Sequence, residues 1–142
     1  MARLRLDLPD SFVFSAELPV RVSDLNYGGH LGNDSVVTLM QEARVMFYRS
    51  LGFDSEIRIE DTVGQIVADV MVEYRSESFL GDILVIEIAA ADLSRYSFSL
   101  FYRITNKSTG KEAARGKTGI VCFDYAARKV AEVPKALAAK LG

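Results

Sequence analysis

The chain has 142 residues, 49% of them hydrophobic and 25% charged, which predicts one globular domain over 1–142 with no need of a disulfide or metal staple. A formal net charge of -2 excludes non-specific nucleic-acid binding, which requires a basic excess to release phosphate counterions. One cysteine, Cys122, and one histidine, His30, exclude an intrachain disulfide and a typical zinc site.

In chain order, Met1–Asp10 mixes charged and apolar residues without the apolar core of a signal peptide. Together with the lone cysteine, this predicts a reducing, cytoplasmic setting. No apolar run approaches the ~20 residues of a membrane helix, so no membrane partner is expected. Residues 12–23 read as a first strand in which Pro19, unable to donate to a ladder, marks an edge or a bulge. A polar loop follows, Ser23-Asp24-Leu25-Asn26-Tyr27-Gly28-Gly29-His30, with a glycine pair suited to a sharp turn.

Val36, Met40, Ala43, Phe47 and Leu51 then recur at helical spacing, and Val37, Leu39 and Met46 widen the stripe. The helix is predicted over 34–51, with Asn33 or Asp34 as cap and Gly52 as stop. From 63 to 75 the period becomes two, with Ile66, Ala68, Val70, Val72 and Tyr74 on one face and Val67, Asp69, Met71, Glu73 and Arg75 on the other. Further strands are predicted over 83–91, 96–105 and 111–124, the last two joined by a hairpin loop at Asn106–Gly110. Val133-Pro134 starts a short helix over 135–141. Short loops favour antiparallel neighbours. A long helix cannot bury a wide apolar stripe alone, whereas a sheet wrapped around it can do this for it. The fold class is therefore α+β, a hotdog in which one long central helix is wrapped by a curved antiparallel sheet of about five strands.

Two segments carry candidate chemistry. The loop before the helix brings polar side chains, glycines and the only imidazole to a helix N-terminus, where N–H groups favour developing negative charge. Alternatively, it is simply a capped helix start with His30 as surface decoration. Tyr74-Arg75-Ser76-Glu77-Ser78 ends a strand, and Glu77 there is either a general base for water or a solvated turn carboxylate. Glu42 and Arg44 read as ordinary helix-flank residues. Asp69 interrupts an apolar strand, Asp24 bonds the loop backbone, and Cys122 reads as a buried core thiol.

Arg21-Val22-Ser23-Asp24-Leu25-Asn26 through His30 and Asn33, then Glu42-Ala43-Arg44 and Val72-Glu73-Tyr74 to Gly81-Asp82, resemble the 4-hydroxybenzoyl-CoA thioesterase-like hotdog superfamily over roughly residues 12–125. That family opens with Asp-x-Asp and uses the second Asp as catalytic carboxylate, where this chain has Asn26. The loop is also similar to that of plant acyl-carrier-protein thioesterases, which carry Asp-x-Asn-x-His here and a catalytic Glu in Tyr-Arg-Arg-Glu-Cys. On that alignment Asn26 replaces their Asp, Gly28 their first Asn and Ser78 their Cys, while His30 and Glu77 match. The resemblance implies an acyl-CoA or acyl-ACP thioesterase without metal or cofactor, working as a homodimer or homotetramer. It implies Asn26, His30 and Glu77 as catalytic residues and Asp24, Tyr27, Gly29, Leu31, Asn33, Glu42 and Asp69 as substrate-binding ones. The loss of the loop carboxylate keeps a non-catalytic acyl-CoA-binding protein as an alternative. A dehydratase or hydratase on the same fold is a second.

Overall fold

A computed structural model describes residues 3–141. The element order is β1 (Phe14–Pro19), a 3-10 turn (Val22–Asp24), α1 (Asn33–Ser50), β2 (Val63–Tyr74), β3 (Ile83–Ala91), β4 (Ser97–Asn106), β5 (Glu112–Asp124), β6 (Lys129–Val130) and α2 (Lys135–Lys140). The sheet runs β1-β3-β4-β5-β2, and β6 pairs the end of β5. Every pairing is antiparallel. One long helix packed on one antiparallel sheet is the hotdog arrangement that the order of elements predicts. Among the described residues, no helix is long and apolar enough to cross a membrane.

The core lies between α1 and the sheet. Val36, Leu39, Met40, Ala43, Phe47 and Tyr48 bury the helix's apolar stripe against Ile86, Ile88, Leu100, Ile104 and Ile120. Val37 and Met46, expected within that stripe, are 39% exposed on its flank. At Gly116 in β5 the tip of Met40 fills the space of a side chain, since a Cβ there would lie 2.5 Å from Met40 Cε. Cys122 is buried in the core, and burial pushes its thiol up to about 11. The helix stops where Gly52 takes φ +97°, a left-handed conformation that side chains disfavour.

Four expectations change. The first strand is shorter than 12–23: β1 ends at Pro19, and the 3-10 turn takes over the approach to the loop. As expected for Pro19, β1 is an edge strand. The N-cap of α1 is Gly32, with no side-chain cap, and Asn33 is the first helical residue. Strict alternation in β2 also fails, because the register shifts between Val67 and Asp69. Val70, Val72 and Tyr74 pair with Thr118, Gly116 and Ala114, but Val67 and Gln65, not Ala68 and Ile66, pair with Ile120 and Cys122. Directly paired residues share a face, so the extra residue at Ala68 flips the inward set.

Arg44 provides the fourth change: it is buried, not a solvated flank residue. Its Nε donates to Glu56 Oε1 at 2.7 Å and its Nη1 to Tyr102 Oη at 3.3 Å. Burial alone works against the charge, but Tyr102 and Glu56 outweigh it and hold the guanidinium protonated.

Candidate active site at the amino end of the long helix

The loop before α1 is held by its own backbone. The Asn26 N–H donates to the His30 carbonyl at 2.9 Å, and the Gly29 N–H to the Asn26 carbonyl at 3.1 Å. Leu25 and Leu31 form a bridge across the loop. Gly29 has φ +80°, and a Cβ on Gly28 would lie 3.2 Å from Asn26 Oδ1 and 3.3 Å from His30 Nε2. The glycine pair therefore both turns the chain and makes room for the imidazole.

Asp24 anchors this loop from below. It is 2% exposed and accepts from the Arg21 N–H, Nε and Nη2 at 2.8, 3.1 and 3.0 Å. The Arg21 guanidinium holds its carboxyl below the usual carboxylate range, against the effect of burial. The Asp24 carbonyl accepts the Gly32 N–H at 2.9 Å, which ties the turn to the start of α1.

The second wall comes from the end of β2. The Leu31 N–H donates to the Ser78 carbonyl at 2.8 Å. Tyr74 Oη donates to the Asn33 carbonyl at 2.8 Å, and Ser76 Oγ to the Glu112 carbonyl at 2.9 Å. Ser78 is fully buried and accepts from Asn106 Nδ2 at 3.1 Å. These bonds fix residues 74–78 against the loop. His30 Nε2 then stands 3.8 Å from Glu77 Oε1, with side chains 33% and 66% exposed.

Between the walls lies an open cleft of about 610 Å³. Asn26, His30 and Glu77 line it with Tyr27, Leu31 and Asn33, and Tyr74, Arg75 and Ser76 complete it. Asn26 Oδ1 accepts the Gly28 N–H at 2.9 Å, which leaves Nδ2 as a donor. His30 Nδ1 lies 3.2 Å from the Leu31 carbonyl. Donation there leaves Nε2 with a lone pair on the Glu77 side. The first turn of α1 ends at the same cleft through Asn33. The arrangement thus holds two proton-accepting groups, an amide donor and a helix N-terminus around one solvent-reached space.

Four residues expected to bind substrate do not line this cleft. Asp24 is committed to Arg21, Gly29 turns the loop, and Glu42 is exposed on α1. Asp69 sits beside the β2 bulge, where its Oδ1 accepts the Gly119 N–H at 2.9 Å. Conversely, Tyr74, Arg75 and Ser76 line the cleft without having been assigned a role individually. The signal available was their adjacency to Glu77 at a strand end.

The family model of the thioesterase-like superfamily matches residues 20–141. Among curated protein sequences, none matches. Solved structures do. A 1,4-dihydroxy-2-naphthoyl-CoA thioesterase from Synechocystis is similar at 20% identity and TM-score 0.78, covering 88% of this chain and 92% of that one. A gentisyl-coenzyme A thioesterase is similar at 19% identity and TM-score 0.80, covering 91% and 100%. A Staphylococcus aureus protein in complex with CoA is similar at 16% identity and TM-score 0.81, covering 95% and 84%. At such identities the likeness establishes the fold.

Proposed function

Because the chain belongs to the thioesterase-like superfamily, we propose that it hydrolyses an acyl thioester, of coenzyme A or of an acyl-carrier protein, in the cleft at the amino end of α1. The observation that carries this reading is the placement of His30 and Glu77, 3.8 Å apart on facing walls of that cleft. The coenzyme A thioesters named for two similar structures, and the CoA held by a third, support the thioester class.

In this reading Glu77 takes a proton from water, and the resulting hydroxide attacks the thioester carbonyl. Asn26 Nδ2 and N–H groups at the start of α1 stabilise the oxyanion, since the helix end favours negative charge. Collapse of the tetrahedral intermediate breaks the C–S bond. The proton on Glu77 returns to the departing sulfur, directly or through His30, leaving a carboxylic acid and a thiol. Asn26 cannot act as base, so the proton-accepting role falls to the opposite wall.

The proposal includes assembly with a second copy. β2 ends the sheet, with backbone bonds from its outer edge to residues 56–60 at Val63 and Gln65, and exposes Val67 and Val70, while α1 exposes Val37 and Met46. Pairing two protomers covers such an edge and such side chains.

The test is steady-state hydrolysis of an acyl-CoA and acyl-carrier-protein panel, with detection of released thiol. Turnover is expected with at least one acyl group, and His30→Ala should lower kcat at least tenfold. No turnover across the panel would remove the enzyme reading, and an unaltered His30→Ala would remove the imidazole's part. Sedimentation at assay concentration should give a dimer or tetramer, and a monomer there would remove the second copy.

A further inference from the structure

Next to the cleft lies a second, smaller groove of about 190 Å³, lined by Arg3, Leu4, Arg5, Glu73, Tyr74 and Arg75. It is built by residues 3–7, which run as a strap over the end of β2. Leu6 is 7% exposed and fixes the strap. Its N–H donates to Glu73 Oε1 at 2.8 Å, and its carbonyl accepts from Arg115 Nη1 at 3.1 Å. Arg3 Nη2 donates to the Tyr74 carbonyl at 3.1 Å. Tyr74 and Arg75 line both spaces, so the groove and the cleft are neighbours that share this wall.

The charges in this groove are unevenly committed. The Glu73 carboxylate is taken up by the Leu6 N–H and by Arg75 Nη1 at 2.7 Å, and these hold it ionised, below its ordinary value. Arg115 is paired with Glu112. Among the described residues, no carboxylate lies within ion-pair distance of Arg3 or Arg5. A chain with a net charge of -2 therefore places two guanidinium groups, uncompensated by any such pair, in a groove that shares Tyr74 and Arg75 with its candidate active site. Guanidinium groups bind phosphate oxygens as planar, two-point donors.

We propose that the strap forms a polyphosphate subsite, in which Arg3 and Arg5 hold the nucleotide phosphates of coenzyme A while the thioester lies between His30 and Glu77. This rests on the thioester reading and chooses between its two carriers. Coenzyme A ends in a diphosphate and a 3'-phosphate, which two cations match, whereas a carrier protein presents a single phosphodiester. Glu77 lies four positions after Glu73, a span of at most about 14 Å, within reach of an extended pantetheine arm.

The experiment compares wild type with Arg3→Gln/Arg5→Gln. Calorimetry with adenosine 3',5'-bisphosphate should show binding that weakens about tenfold in the variant. In turnover, KM for acyl-CoA should rise about tenfold with kcat unmoved, while KM for the matching acyl-pantetheine stays put. Independently of any substitution, added salt should raise KM for acyl-CoA but not for acyl-pantetheine. Equal bisphosphate binding by both proteins overturns the subsite, as does a parallel rise of both KM values. Arginine-dependent bisphosphate binding without hydrolysis of any thioester would instead sink the hydrolase reading and leave the subsite standing.

Discussion

Two polar clusters touch α1, and they differ in what they leave unmet. Beneath the middle of the helix, Arg44 bonds Glu56 and Tyr102, and the Tyr102 hydroxyl lies 2.8 Å from Thr118 Oγ1. Tyr48 Oη donates to Gln65 Oε1 at 3.3 Å beside them. Among the described residues, no buried side-chain N or O atom there or elsewhere lacks a partner. At the helix's amino end, His30 and Glu77 are too far apart for a hydrogen bond and face water. A saturated buried cluster has nothing left to offer a ligand and contributes uniqueness to the fold. An unsaturated pair in an open cleft can bond a third molecule. The same residue types therefore serve two ends, and burial and partner count separate them.

The sharpest way to break this comparison is to remove the capacity of each cluster in turn. Glu77→Gln keeps the shape and removes the proton acceptor. Its kcat should fall about 10³-fold, while its unfolding free energy from urea titration stays within about 0.5 kcal/mol of wild type, as for an exposed side chain. Thioester hydrolysis within tenfold of wild type would exclude Glu77 as the base.

Arg44→Met should do the opposite. It strands the Glu56 carboxylate, whose side chain is only 18% exposed, and the cost of breaking such a pair is about 3 kcal/mol. Thermal unfolding should begin about 10 °C lower, yet kcat at a temperature where the variant is folded should hold. A variant as stable as wild type would show that the cluster is not what holds residues 52–62 over the core.

The difference between the clusters also explains what could be read from the sequence. Helical and alternating spacing are local, so α1, β3, β4 and β5 were legible to within one or two residues. The loop from Asp24 to His30 and Glu77 drew attention as a helix start and a strand end, but only the resemblance to thioesterases set them above a capped helix start and a solvated turn carboxylate. What escaped was decided by contacts between distant segments. Arg44 reads as a flank residue until the connection after α1 brings Glu56 to it, twelve positions on. The β2 bulge is invisible in a run of apolar residues, because it appears only in the pairing with β5. Asp69 interrupts the apolar strand beside that bulge, and its partner, the Gly119 N–H, is likewise fixed only by the pairing with β5. β6 is two residues long and exists only by pairing with β5, so no period could announce it.

Between the two clusters stands Asp24, buried like the first and adjacent in chain to the second. Asp24→Asn tests whether the cleft's loop depends on a charge that does not line the cleft. The carboxyl's folded value lies below its ordinary one because of Arg21. Between those two values the unfolded chain binds the proton that the folded chain refuses, so stability rises with pH in that window. The stabilisation is then fully present above the unfolded value of about 3.9 and disappears as pH falls through the folded one. Because the Arg21 side chain is half exposed, the loss in Asp24→Asn at pH 7 should be modest, about 1–2 kcal/mol. The gap between the two urea midpoints should hold from pH 7 to about pH 5 and close as pH falls through the folded carboxyl's depressed value. A gap that persists unchanged in acid would mean that the carboxylate's shape and neutral hydrogen bonds, rather than its charge against Arg21, set the position of the loop that carries Asn26 and His30.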